Sequence, residues 1–245
     1  GLAEVAQYGT ISESQARRIF DILSRIDLLR QTTTAVKGNQ AICLQTYRET
    51  AISPKAMAHL EFHSGIGIEG LVVRCRLGLP LLYADELYYL GNQDDLMNFV
   101  SRPYRNITSR ASEYDLKGDC GDNVPFYTCL SHVFMCSSAK LAGKRDCGKA
   151  YVQWSQVFLA LLAYKDRFGR YPKSIGELRS GLDWRVPEDI FSGKDFVYIP
   201  KRQGFLLYSF GQNLVDNGGL DEKKHPGVFP LEKDKHDDII WRMEK

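Results

Sequence analysis

The 245-residue chain has no long apolar run. Its longest unbroken stretch spans only Val157 to Tyr164, whereas a membrane-crossing helix needs about 20 such residues. It has no charge excess either: 32 Lys and Arg face 30 Asp and Glu, a net of +2. That balance excludes the cationic bias of a nucleic-acid groove or a polybasic membrane face. No pair of cysteines has the C-x2-C spacing of zinc ribbons and redox sites, and no G-x-S-x-G nucleophile elbow occurs. Internal repeats and low-complexity tracts are also missing. What remains is 44% apolar and 25% charged, a composition that buries a core and suits one large domain or two small ones. The chain opens on Gly1 with neither Met nor a charged-then-apolar leader, so the expectation is either processing or an anchoring segment outside these residues, any membrane attachment being through such an anchor.

Six cysteines are present, and Cys120, Cys129, Cys136 and Cys147 crowd into one short region. In an oxidising compartment that crowding reads as local disulfides, in a reducing one as buried thiols. Cys129 and Cys136 on one helix would lie about 10 Å apart along its axis, too far to bridge. That narrows the choice without closing it; the pairing taken as the expectation is Cys136 with Cys147, across a turn from Lys140 to Arg145, leaving Cys120 for Cys129.

Helical spacing dominates the first two thirds. Ser12 with Gln15 forms a capping-box signature ahead of Ala16, Ile19, Phe20, Leu23, Ile26 and Leu29. Further helices are expected over Thr33 to Arg48, from Ser53-Pro54 to Ser64-Gly65, over Ala84 to Val100, and from Pro125 to about Leu141. Gly65-Ile-Gly-Ile-Glu-Gly70 matches the dinucleotide fingerprint as a string, but it follows a helical pattern where a strand is required, so it reads as a turn. A polar stretch from Arg110 to Asp122 marks the expected boundary between a helical region, 1–122, and a second domain, 123–245. A long helix from about Gly148 to Phe168 stops at Gly169 with Pro172 beyond.

The period then changes. Phe196-Val-Tyr-Ile and Phe205-Leu-Leu-Tyr-Ser-Phe read as strands joined by Lys201-Arg-Gln-Gly204, and Ile239-Ile240-Trp241 supplies a third. Phe158, Leu161 and Leu162 are expected to cover one sheet face made by Phe196, Tyr198, Leu206, Tyr208 and Ile240. Helices first and strands last give an α+β fold, a helical N-terminal region followed by a long helix on a small antiparallel sheet.

The last part of the chain carries five phrases in order: Leu162-Ala-Tyr-Lys-Asp-Arg-Phe-Gly-Arg-Tyr-Pro172, Ser174-Ile-Gly-Glu-Leu178, Pro187-Glu-Asp-Ile-Phe-Ser-Gly193, Gly204-Phe-Leu-Leu-Tyr-Ser-Phe-Gly211 and Asp237-Asp-Ile-Ile-Trp241. From Tyr151 to Trp241 this resembles the C-terminal domain of type II secretion major pseudopilins. The chain departs from them in carrying about 120 residues of helical sequence in place of a pilus-building apolar helix, so it looks more like bacterial envelope proteins that reuse such a tail. The resemblance implies a periplasmic or extracellular protein, acting through contacts with other envelope or secretion proteins and not on nucleic acid.

The loop from Gly211 to Asp238 is rich in the hard oxygens and glycines that Ca²⁺ sites use. By resemblance, calcium falls on Asn213 or Asp216, on Asp237 and Asp238, and on carbonyls near Leu214. Lys223, Lys224, Lys233 and Lys235 in the same loop favour the plainer alternative, a solvated segment of mutually neutralising charges.

Other candidates are weaker. His59 and His63 share a helix face at a spacing zinc uses, and they define the alternative reading, a metal-dependent hydrolase. Glu61 points away from His59, and no third ligand follows. His132 near Cys129 and Cys136 reads as packing rather than a catalytic pair. Tyr88, Tyr89, Tyr104, Tyr114 and Tyr127 either line a groove for a partner or are covered by neighbouring helices. The function expected is non-enzymatic.

Overall fold

A computed structural model describes residues 11–52, 79–107, 127–134, 138–202, 204–219 and 238–243. The elements are α1 (Glu13–Leu23), α2 (Leu28–Ile52), α3 (Leu79–Val100), α4 (Cys129–Phe134), α5 (Ser138–Phe168), α6 (Ile175–Leu182), β1 (Val197–Lys201), β2 (Gly204–Ser209) and β3 (Ile239–Met243). The fold is α+β, mostly helical with one small antiparallel sheet. The chain forms two compact units that are discontinuous in sequence. One comprises Gly1–Leu28, Pro103–Arg105 and Gly143–Lys245; the other comprises Leu29–Arg102 and Asn106–Ala142. Helix α1 therefore joins the sheet-bearing unit instead of the helical one.

In the sheet-bearing unit, α1 starts as its sequence dictates. Ser12 Oγ accepts from the Gln15 amide while Gln15 Oε1 accepts from the Ser12 amide, a reciprocal cap that satisfies two amides a free helix end leaves open. Ala16 and Phe20 are buried, with the Phe20 ring 5.1 Å from Trp184 and the Arg17 guanidinium over the same indole. The helix is fastened to α5 at its first turn: the Glu13 amide donates to Asp166 Oδ2 at 3.0 Å, and Arg167 Nε donates to the Glu13 carboxylate.

Helix α5 supplies the spine. Trp154, Val157, Phe158, Leu161 and Tyr164 are buried in one cluster with Leu178, Trp184, Phe205 and Leu207, each large apolar side chain contributing about 1.5–3 kcal/mol. Gly169 ends the helix at φ +72°, donating its amide to the Lys165 carbonyl, a left-handed position that glycine occupies without strain. Ser174 then caps α6 by accepting the Glu177 amide.

The sheet has strand order β1-β2-β3, antiparallel throughout. Strand β2 is buried along its whole length, so no polar alternation marks its two faces. Register decides them. Tyr198 stands opposite Leu207, and these two with Phe205 face α5, where Phe205 meets Phe158, Tyr171 and Tyr198. Leu206 and Tyr208, expected beside Tyr198, alternate onto the reverse face, and Ile240, paired with Tyr208, goes with them.

Two expectations around α5 need correction. The helix begins at Ser138, not near Gly148, so the turn expected from Lys140 to Arg145 is helical. The expected Cys136–Cys147 disulfide is not formed: Cys147 is a free thiol whose Sγ accepts from Gln212 Nε2 at 3.0 Å. Cys75, Cys120 and Cys136 lie outside the described residues.

The helical unit packs α2, α3 and α4 around Cys43, Tyr47, Leu82, Tyr89 and Leu130. Tyr47, Tyr89 and Phe134 form a triangle of edge-on and tilted rings with centroids 5.8–6.1 Å apart, a spacing favourable to aromatic pairs.

Candidate functional site

The segment following β2 turns back across the reverse face of the sheet. Gly211 at φ +68° and Leu214 at φ +59° bend the chain. Gly219 then lies so close to the sheet that a Cβ there would stand 3.1 Å from Leu206 and from the Tyr208 ring. The Tyr208 hydroxyl donates to Asp216 Oδ1 at 3.0 Å. Burial first, and this carboxylate second, push the Tyr208 phenol up to about 12.

Three of the four residues singled out for calcium are described, and each ties the turn together. Asn213 Oδ1 accepts the Val215 amide, while its Nδ2 donates to Asn217 Oδ1 at 2.7 Å. Asp216 Oδ1 accepts the Gly218 amide at 2.9 Å besides Tyr208. Asp238, buried just before β3, accepts the Asn217 amide on one oxygen and the Gly219 amide, at 2.8 Å, on the other. Asp237 lies outside the described residues. Among the described residues no three His, Cys, Asp or Glu side chains converge.

A second cluster that the residue pattern did not single out anchors the start of this loop. Asp189, 1% exposed, accepts the Ser209 hydroxyl at 2.7 Å together with the Phe191 and Ser192 amides. Ser209 Oγ in turn accepts the Gly211 amide. The signal was present in Asp189-Ile-Phe-Ser192, an Asp whose side chain can bond amides two and three residues on, but its partner Ser209 becomes visible only once β2 is placed. Nearby, buried Asp146 holds the short 3₁₀ turn Tyr104–Asn106 through the Tyr104 amide at 2.7 Å and receives Arg145 Nε at 2.6 Å. Arg105 then donates to the Ile190 carbonyl. Burial pushes the Cys147 thiol up and the Tyr151 phenol up to about 12.

The remaining candidates are not assembled into a site. His59, His63, Tyr114 and the Gly65–Gly70 string fall outside the described residues, as does the His132 side chain. Tyr104 belongs to the sheet-bearing unit, whereas Tyr88, Tyr89 and Tyr127 belong to the helical one, where Tyr89 is buried in the core. Among the described residues no helix is long and apolar enough to cross a membrane. In comparisons with known proteins, no family model, no curated protein and no solved structure matches the chain.

Proposed function

We propose that this is a non-enzymatic, periplasmic or extracellular protein whose pseudopilin-like C-terminal unit works through contacts with other envelope or secretion proteins. One observation carries the reading. The loop after β2 is fastened to the sheet at Asp238, Tyr208 and Asp189, yet it presents Val215 with 54% of its surface exposed. The described part of that loop, residues 211–219, is internally bonded and carries an exposed apolar side chain, and such a segment is preorganised for a partner because little conformational freedom is lost on binding. Asn213, Asp216, Asp237 and Asp238 would hold Ca²⁺, which would supply rigidity to the loop and no chemistry.

A photo-crosslinking residue placed at Val215 in cells tests this reading, with exposed Ile42 of the helical unit as the control position. The expected result is a discrete adduct with an envelope or secretion protein from Val215 and none from Ile42. Equal labelling from both positions, or none from Val215, overturns the proposal.

A further inference from the structure

The helical unit contains a polar device that the loop site does not use. Asp85 of α3 is 1% exposed, yet it carries a carboxyl group into the aromatic core. Its oxygens accept the amide of Leu130 at 2.7 Å and that of Ser131 at 3.2 Å, so a side chain of α3 holds the first turn of α4. No Lys or Arg among the described residues pairs with it. Around it stand hydroxyls in an unusual state. Tyr47 Oη and Ser131 Oγ lie beside the carboxyl but make no aligned hydrogen bond, and Thr50 Oγ1, one turn from Tyr47 on α2, has no partner either. Buried hydroxyls without partners are costly, and so is a buried carboxylate whose charge is met only by amides.

Protonation relieves both costs at once. A neutral carboxyl keeps one oxygen for the Leu130 amide and gains an O–H that can donate to Tyr47 or Ser131. We propose that Asp85, Tyr47 and Ser131 form a proton-operated latch that fastens α4 to α2 and α3 when Asp85 is protonated and loosens when it ionises. Among the described side chains, the titratable group against Asp85 is Tyr47 of α2, with Tyr89 of α3 acting on Tyr47 in turn; from α4 it meets the Leu130 and Ser131 amides and the Ser131 hydroxyl. Burial pushes the Asp85 carboxyl up from its ordinary range, with the Ser131 and Leu130 donors pulling it partly back. The sign follows: a carboxyl raised in the fold contributes stability that is complete below the ordinary carboxylate range and is lost as pH rises through the folded value.

Amide exchange of the full chain tests the latch at the two donors. Protection factors, corrected for intrinsic exchange, are compared at Leu130 and Ser131 between about pH 4.5 and about pH 8, a window reaching from near the ordinary carboxylate range to well above it. In the native chain they are expected to fall several-fold as pH rises. In Asp85→Asn, whose amide stays neutral with one donor group and one acceptor, they are expected to be flat. All three tryptophans, Trp154, Trp184 and Trp241, belong to the sheet-bearing unit, so their fluorescence serves as the control and is expected not to follow the same curve. Should Asp85→Asn fail to fold, Tyr47→Phe replaces it and is expected to lower the acid-side protection while leaving the alkaline level alone. Protection that is flat or rises with pH in the native chain overturns the latch, as does an Asp85→Asn curve that follows the native one or a Tyr47→Phe curve identical to it.

Discussion

Tyr208 and Asp216, eight residues apart, meet across the reverse face of the sheet, the phenol donating to the carboxylate at 3.0 Å. This contact ties a loop of small and polar residues to a strand whose other face belongs to the long helix α5. Replacing Tyr208 by Phe keeps the ring against Gly219 and removes only the hydroxyl. The expected cost is about 1 kcal/mol, measured by denaturant unfolding. The phenol, pushed up to about 12, also sets an alkaline limit: stability is complete below the ordinary tyrosine value of 10.0 and is lost as pH rises toward 12. Melting curves above pH 10 are expected to fall less steeply for Tyr208→Phe than for the native chain.

Gly218 and Gly219 make an internal comparison. Both are left-handed, at φ +75° and +67°, but a Cβ at Gly218 meets nothing within 4 Å, whereas at Gly219 it meets Leu206 and Tyr208 at 3.1 Å. Gly218→Ala is expected to cost about 1 kcal/mol for its backbone alone. Gly219→Ala is expected to cost about 1–3 kcal/mol more, because the sheet side chains must shift. Equal losses in thermal unfolding would mean that the loop does not lie against the sheet.

Glu177 organises the turn between α5 and α6. It accepts from Arg170 Nη2, from the Lys173 amide and from the Tyr164 hydroxyl, and the Arg170 guanidinium, chiefly, holds its carboxyl down to about 2. A carboxyl lowered in the fold contributes stability above its ordinary value of 4.5 that is lost as pH falls toward 2. Glu177→Gln is therefore expected to melt lower than the native chain at neutral pH and to converge with it in acid, as followed by circular dichroism.

Much of this was legible in the residues, and the failures have physical causes. The Ser12 and Gln15 cap, the Gly169 stop, the three strands and their antiparallel order all follow from local signals that tertiary contacts reinforce. The start of α5 was hidden because Gly143 and Gly148 each weaken a helix by about 1 kcal/mol relative to Ala, and Lys140, Lys144, Arg145 and Asp146 look like a solvated turn. Both glycines instead sit where neighbours press close, Gly143 against Gln212 and Tyr104 and Gly148 against Leu28. Asp146 is buried because the Tyr104 amide needs it. The faces of β2 were hidden for a different reason. With all six residues buried, only register against Tyr198 separates Phe205 and Leu207 from Leu206 and Tyr208, and register is a long-range property. At the loop, the oxygen-rich composition was plain, but its hydrogen-bond roles were not. Asp238 reaches amides 19 and 21 residues away, a closure that no local pattern displays.

The account depends most on Asp238 holding the loop in one shape, and exchange of the Gly219 amide measures that directly. The amide is expected to be protected in the native chain, more so with added Ca²⁺, and to lose its protection in Asp238→Ala, where a buried N–H left unpaired costs about 1–3 kcal/mol. A Gly219 amide that exchanges in the native chain as fast as in an unfolded peptide would contradict the account.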